Sequence, residues 1–314
     1  MSWLVLGGSG FVGSAVLRAL HSAGIEAHAA PAPRLTTAAD TPTALLEAAA
    51  LSDITELLAA IRGHDVVVNA AGLATPSSAG GDGLLGANAL LPAVVARAAA
   101  AAGARRVIHL SSAAVQGRTP VLDETDAVRP FSAYSRSKAL GEQALALAAE
   151  REPEISVVTI RATSVQGQGR PTTTALVRLA RSPLASVASP GDAASPITSV
   201  DALAELVIAV GRHEGPLPAR VLQPWEGLTV RSVLEAAGGR PRVLPAGLCR
   251  LAVGIGYALS ALVRGRLDGH VRRAELMWFG QDQVAGWATD HGLEPTARVQ
   301  SVLAAAAGSR SDAA

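Results

Sequence analysis

The sequence predicts an α/β fold, a doubly wound parallel sheet followed by a smaller, mainly helical lobe. Three observations carry this. Short apolar runs alternate with longer helical patterns through the first two-thirds of the 314-residue chain, the signature of βαβ units. A glycine cluster, Gly7-Gly8-Ser9-Gly10-Phe11-Val12-Gly13, follows the first apolar run and opens the first helical one. From Thr229 onward strand signals thin out and the pattern is mostly helical. With 49% hydrophobic and 17% charged residues a disordered chain is excluded, and the length suits two domains at most or one elaborated domain.

Taken in order, the strand candidates are residues 3–6, 27–30, 65–69, 106–110 and 156–160. Helical patterns over 12–23, 54–62, 88–102 and 135–149 lie between them. The alanine run 98–102 continues an apolar helical face. Pro, Ser, Thr and Gly dominate from Arg170 to Pro196, and Ile197-Thr198-Ser199-Val200-Asp201 then opens another strand-and-helix unit. The expected division is a first domain of 1–169 with 196–222, a substrate lobe of 170–195 and 223–308, and a tail of 309–314.

A net charge of +1 supplies no basic field for nucleic acid and no polybasic arm for anionic membrane, so a small-molecule partner is expected. The apolar run from Leu251 to Val263, bracketed by Arg250 and Arg264, falls short of the roughly 20 residues a spanning helix needs. It reads as a buried helix, and membrane contact is not expected. One cysteine, Cys249, excludes a disulfide framework and a cysteine-built zinc site, and no metal is expected. No basic leader precedes the strand-like run 3–6, so a cytoplasmic protein is expected.

The glycines at 7, 10 and 13 permit a tight turn, close approach of backbone to a diphosphate, and close packing of helix on strand. A dinucleotide then sits at the helix N-terminus, held by Gly7, Ser9, Gly10, Phe11, Val12 and Gly13. An NAD site commonly carries an acid at the end of the second strand. Here that segment reads Ala29-Ala30-Pro31-Ala32-Pro33-Arg34, and Arg34 is a candidate partner for a 2′-phosphate. NADP(H) is therefore favoured over NAD(H).

Of 27 Lys and Arg residues only Lys138 is a lysine, and Tyr134 is one of two tyrosines. Four apart on a helix, they share a face. A phenol with pKa near 10 becomes a useful acid–base group at neutral pH when a nearby ammonium favours its phenolate. The lysine head also has the donors to hold ribose hydroxyls.

The chain resembles the extended short-chain dehydrogenase/reductase family, the NAD(P)-dependent nucleotide-sugar epimerases, dehydratases and reductases. The resemblance rests on Gly7-x-x-Gly10-x-x-Gly13, Asn69-Ala70-Ala71-Gly72, Ser111 to Gly117, Tyr134-x-x-x-Lys138, Arg161 to Gly167, Val200-Asp201 and Gly292-Leu293-Glu294-Pro295. It implies a Rossmann-type sheet, with Ser112 as third catalytic residue beside Tyr134 and Lys138. It implies cofactor contacts from Ala70, Ala71, Gly72 and Leu51, the last beside Ala50, which replaces a family aspartate. Ala113, Gln116 and Thr163 would meet substrate, Gln116 standing where the family often has tyrosine. Asn88 matches a family asparagine, though a helix N-cap explains it equally well. A homodimer through helices 88–102 and 135–149 is the family expectation.

Ala113-Ala114 occupy the place of the acidic pair a 4,6-dehydratase needs. A reductase and an epimerase share every remaining motif. Without the ribose-gripping acid and the adenine aspartate, an exchangeable cofactor is favoured. The expectation is a ketoreductase acting on a nucleotide-sugar carbonyl or a related secondary-metabolite ketone, with a 4-epimerase retaining NAD as the alternative. Arg170, Arg178 and Arg181 are candidates to meet a nucleotide diphosphate or simply a solvated face. A non-catalytic dinucleotide-binding regulator is the reading from another class, and Tyr134-x-x-x-Lys138 argues against it.

Overall fold

The computed structural model describes residues 1–73 and 81–308. In chain order the first elements are β1 (Trp3–Leu6), α1 (Phe11–Ser22), β2 (Ala27–Ala30), α2 (Pro42–Leu51), α3 (Thr55–Ile61) and β3 (Val66–Asn69). Next come α4 (Asp82–Leu85), a π-helical turn (Gly86–Leu90), α5 (Leu91–Ala102), β4 (Arg106–Ser112), β5 (Val121–Leu122) and α6 (Ala133–Arg151). Then follow β6 (Ser156–Ala162), β7 (Ser164–Gln166), α7 (Pro171–Ala180), β8 (Ser186–Ala188), β9 (Ile197–Ser199), α8 (Val200–Arg212) and β10 (Arg220–Leu222). The chain ends with α9 (Val230–Ala236), β11 (Arg242–Leu244), α10 (Ala246–Leu262), α11 (Asp268–Phe279), β12 (Asp282–Gln283), α12 (Trp287–Asp290) and α13 (Val299–Gly308).

Two units share these elements. The first holds Met1–Gly117, Glu124–Ala162 and Leu203–Gln223; the second holds Arg118–Asp123, Thr163–Ala202 and Pro224–Ala314. Residues 118–123, 163–169 and 196–202, given to the first domain on sequence grounds, thus fall in the second.

The first unit is built on one parallel sheet of order β10-β6-β4-β3-β1-β2, the doubly wound, Rossmann-type arrangement. β1 and β3 are buried throughout, which is why both read as unbroken apolar runs. The strand order reverses between them, so their carboxyl ends, at Leu6 and Asn69, flank the crevice where open α/β sheets take ligands. Leu4, Leu6, Val67 and Val107 pack beneath Leu45, Ile61, Val94 and Leu145 of the covering helices.

One covering helix is absent from the sequence reading. α2 starts where Thr41 accepts a hydrogen bond from Ala44 N and Pro42 takes the first helical position. Its Leu45, Leu46 and Ala49 join the core shared with α5 and α6. Arg97 of α5 donates to the carbonyls of Ala49 and Ser52 and so closes the C-terminal end of α2.

The second unit is mainly helical, with short parallel pairs β7–β9, β8–β11 and β5–β12. Val177, Val187, Ile197, Val230, Leu234, Val299 and Leu303 form its core. The run around Leu251 is not the buried helix expected. α10 buries only Cys249 and Ser260, and bonds its two hydroxyl side chains, Tyr257 and Ser260, within the unit. Tyr257 donates to Glu275 at 2.6 Å, Ser260 donates to Asp268 at 2.6 Å, and Arg118 stacks on the Tyr257 ring. With its polar positions bonded inside, its aliphatic face is left outside.

Candidate active site

The glycine loop has the form a diphosphate requires. Gly7 adopts φ +77°, and Gly10 N donates to Gly7 O at 2.9 Å, closing the turn. A Cβ on Gly13 would lie 2.2 Å from Gly7 O, so any side chain there would displace the loop. Gly10 caps α1 with no side-chain hydrogen bond, and no acid stands in the first turn, so the dipole of the helix favours an anion there. These features fit a dinucleotide. Ser9 and Gly10 are exposed, and Phe11 and Val12 are half-buried at the start of the helix.

From this loop a line of contacts leads to the lysine. A Cβ on Gly7 would meet Ala71 backbone at 2.9 Å, which puts the turn after β3 against the glycine loop. That turn is held by Asn69, whose Oδ1 accepts from Ala71 N at 3.2 Å while its Nδ2 faces His109 Nδ1 at 3.3 Å. At Gly72, φ +158°, a Cβ would stand 3.2 Å from Lys138 Nζ and 2.8 Å from Asn88 Oδ1. The lysine head then donates to Leu110 O at 2.9 Å, two residues before Ser112 in β4.

α6 presents the pair. Ser132 and Ser135 form a capping box, so the helix starts at Ala133 and Tyr134 falls in its first turn, with Lys138 on the same face. Lys138 is buried and Tyr134 half-buried. Burial lowers the Lys138 pKa to about 8, against the opposing charge of Glu142 one turn on. Ser112 accepts from Ala114 N at 3.2 Å and caps the short turn that ends β4.

Two buried residues complete the site. Asn88 sits in the π-helical turn; its Oδ1 accepts from Leu73 N at 2.9 Å and its Nδ2 donates to Leu73 O at 2.9 Å and Ser137 Oγ at 3.0 Å. It is therefore a clamp between the Gly72 turn and α6, not a helix N-cap. His109 was not singled out from sequence. Burial, and secondarily the charge of Lys138, hold its pKa well below the usual histidine value, so it is neutral. A histidine inside the apolar run Arg106 to Leu110 was the available signal.

Leu51 ends α2 and is 89% exposed. Arg34 is exposed, in the loop that leaves β2 where Gly7 N donates to Ala30 O. Ala113 and Gln116 are buried next to Ser112 in the first unit. Thr163 belongs to the second unit, and its Oγ1 is buried with no hydrogen-bond partner among the described residues. In that unit a cavity of about 650 Å³ is lined by Leu244, Met277, Trp278, Arg242, His270 and Arg273, among others. Arg170, Arg178 and Arg181 do not line it.

Comparison with known proteins agrees with this geometry. The family model described as "NAD dependent epimerase/dehydratase family" matches residues 3–218. No curated protein matches. Among solved structures, MoeE5 in complex with UDP-glucose and NAD superposes with TM-score 0.66 at 20% identity, over 100% of both chains. RMD from Pseudomonas aeruginosa complexed with NADPH gives 0.62 at 18% identity, again over 100% of both. A dTDP-4-dehydrorhamnose reductase from Clostridium acetobutylicum ATCC 824 gives 0.54 at 19% identity, over 78% of this chain and 83% of that one. At these identities the likeness is one of fold.

Proposed function

Because the chain belongs to the NAD dependent epimerase/dehydratase family, we propose that it is a ketoreductase that uses NADP(H) on the carbonyl of a nucleotide sugar or a related ketone. The observation that carries this is the Tyr134–Lys138 pair, with Lys138 Nζ beside Gly72 of the turn whose Ala71 packs on Gly7 of the dinucleotide loop. A nicotinamide dinucleotide held at Gly7, Gly10 and Gly13 would supply the hydride for the carbonyl carbon. Tyr134 donates its phenolic proton to the carbonyl oxygen, and the Lys138 ammonium favours the phenolate left behind. Ser112, at the end of β4, holds that oxygen by hydrogen bond. Asn88 keeps the Gly72 turn and α6 in register, which fixes where the lysine head stands.

Two features support NADP(H). No acid occurs from Ala27 to Ala39, so no carboxylate at the end of β2 repels a 2′-phosphate, and Arg34 is exposed in that loop, placed to meet it. A nucleoside diphosphate matches the cavity of the second unit, whose Trp278 offers a ring and whose Arg242 and Arg273 offer charge. The lone thiol, Cys249, is buried and suits a reducing cytoplasm.

Tyr134→Phe is expected to lower turnover by about 10²–10⁴ while leaving dinucleotide affinity within a few-fold, followed by nucleotide-linked quenching of tryptophan fluorescence. Unchanged turnover would refute the mechanism. In the same titration Arg34→Ala should weaken NADPH about tenfold and leave NADH alone. Equal affinities in both proteins would remove the phosphate clamp. Stoichiometric NAD⁺ retained through purification would favour a 4-epimerase instead.

A further inference from the structure

We infer that α10 docks the protein on an anionic lipid surface. At 100° per residue, Leu248, Leu251, Ile255, Leu259 and Leu262 fall within one arc of about 80°. These five are 51 to 80% exposed. A surface helix normally turns such a stripe inward, and α10 does the reverse, with Tyr257 and Ser260 bonded on its inner side. Its 17 residues make a rod about 26 Å long, enough to lie in an interface and too short to cross one.

The charges around the stripe name the occupant. Arg264 and Arg266 follow the end of α10, both exposed, while Arg250, the one charged residue within the helix, lies on the far side and stacks on Phe279. The nearby acids are engaged within the unit, Asp268 with Arg118 and Ser260, Glu275 with Arg272 and Tyr257. None pairs with Arg264 or Arg266 among the described residues. Arg264 also holds φ +57°, a conformation that glycine adopts with less strain, and it is the one non-glycine residue to do so among those described. An aliphatic stripe with two unpaired cations at its end matches acyl chains beneath anionic headgroups. Against a second copy as occupant, the stripe lacks the aromatic anchors of protein interfaces.

The test uses the whole chain with extruded vesicles of phosphatidylcholine, or with a quarter of the lipid replaced by phosphatidylglycerol. Co-sedimentation with the anionic vesicles is expected, several-fold stronger than with the neutral ones and falling as salt rises. Ile255→Asp with Leu259→Asp should weaken binding at least about tenfold, and Arg264→Gln with Arg266→Gln should abolish the anionic preference. All four positions are exposed, and unchanged thermal melting confirms folding of each variant. Failure to bind anionic vesicles, or binding indifferent to the aspartates, overturns the inference. A dimer in sedimentation that Ile255→Asp dissociates overturns it too, assigning the stripe to a second copy.

Discussion

At the residue scale, Lys138 makes opposite demands on stability and on chemistry. Its folded pKa of about 8 lies below the ordinary value of 10.5, with burial the main cause. Below about pH 8 both folded and unfolded states hold the proton, and the cost of the buried charge is present in full. Between about pH 8 and 10.5 the native state releases it first, so stability rises with pH, by about 3 kcal/mol across the window. Catalysis runs the other way, since losing the ammonium removes what favours the Tyr134 phenolate. For the free enzyme kcat/KM should fall above about pH 8, while urea titrations show stability climbing. In Lys138→Met the rise in stability should vanish, and a rise that persists would place the titration elsewhere. Tyr134 and Lys138 were legible because their relation is four residues of helix. The Asn69–His109 and Asn88–Leu73 pairings were not, because they join residues 40 and 15 positions apart, the first brought together only by the β3–β4 pairing and the second only by the packing of the π-helical turn on the turn after β3.

At the scale of elements, α6 is fixed to β6 by a buried ion pair. Arg161 donates through Nε and Nη2 to Glu142, at 3.1 and 2.8 Å to Oε2, and through Nη1 to Thr125 O at 2.7 Å. Such a pair is weak evidence of net stability, but half of one is costly. Glu142→Leu should destabilise by about 3–5 kcal/mol in chemical denaturation, and Glu142→Leu with Arg161→Leu should recover most of it. The single variant also removes the charge that opposes the depression of the Lys138 pKa, so the alkaline fall in kcat/KM should move to lower pH. Strands β1 and β2 match the sequence reading residue for residue, because apolar runs bounded by turn residues leave little choice of end. α2 escaped it for the converse reason. Ala and Leu occupy seven of the ten positions of Pro42–Leu51, so no polar face marks a period, and only Thr41-Pro42 signalled a start.

At the scale of the whole molecule, α2 changes the expectation of a dimer. The resemblance implied pairing through the helices now seen as α5 and α6, which requires an apolar face left open on both. Here Leu91 to Ala96, six consecutive residues, are buried, and six residues at 100° each sweep the full circumference of a helix. α2 supplies the cover, with Leu45, Leu46 and Ala49 turned inward and Thr43, Glu47, Ala50 and Leu51 outward. A stable interface removes about 800 Å² from each partner, mostly through a dry apolar centre, and that outer face offers one large apolar side chain. The protein should therefore sediment at its monomer mass of 31.7 kDa at micromolar concentration. A species of twice that mass, dissociated by Leu51→Asp, would mean that a second copy packs on α2 and that its role as a cover is wrong. If the dimer survives Leu51→Asp and is lost in Ile255→Asp, the association belongs to α10, leaving α5 and α6 covered as described.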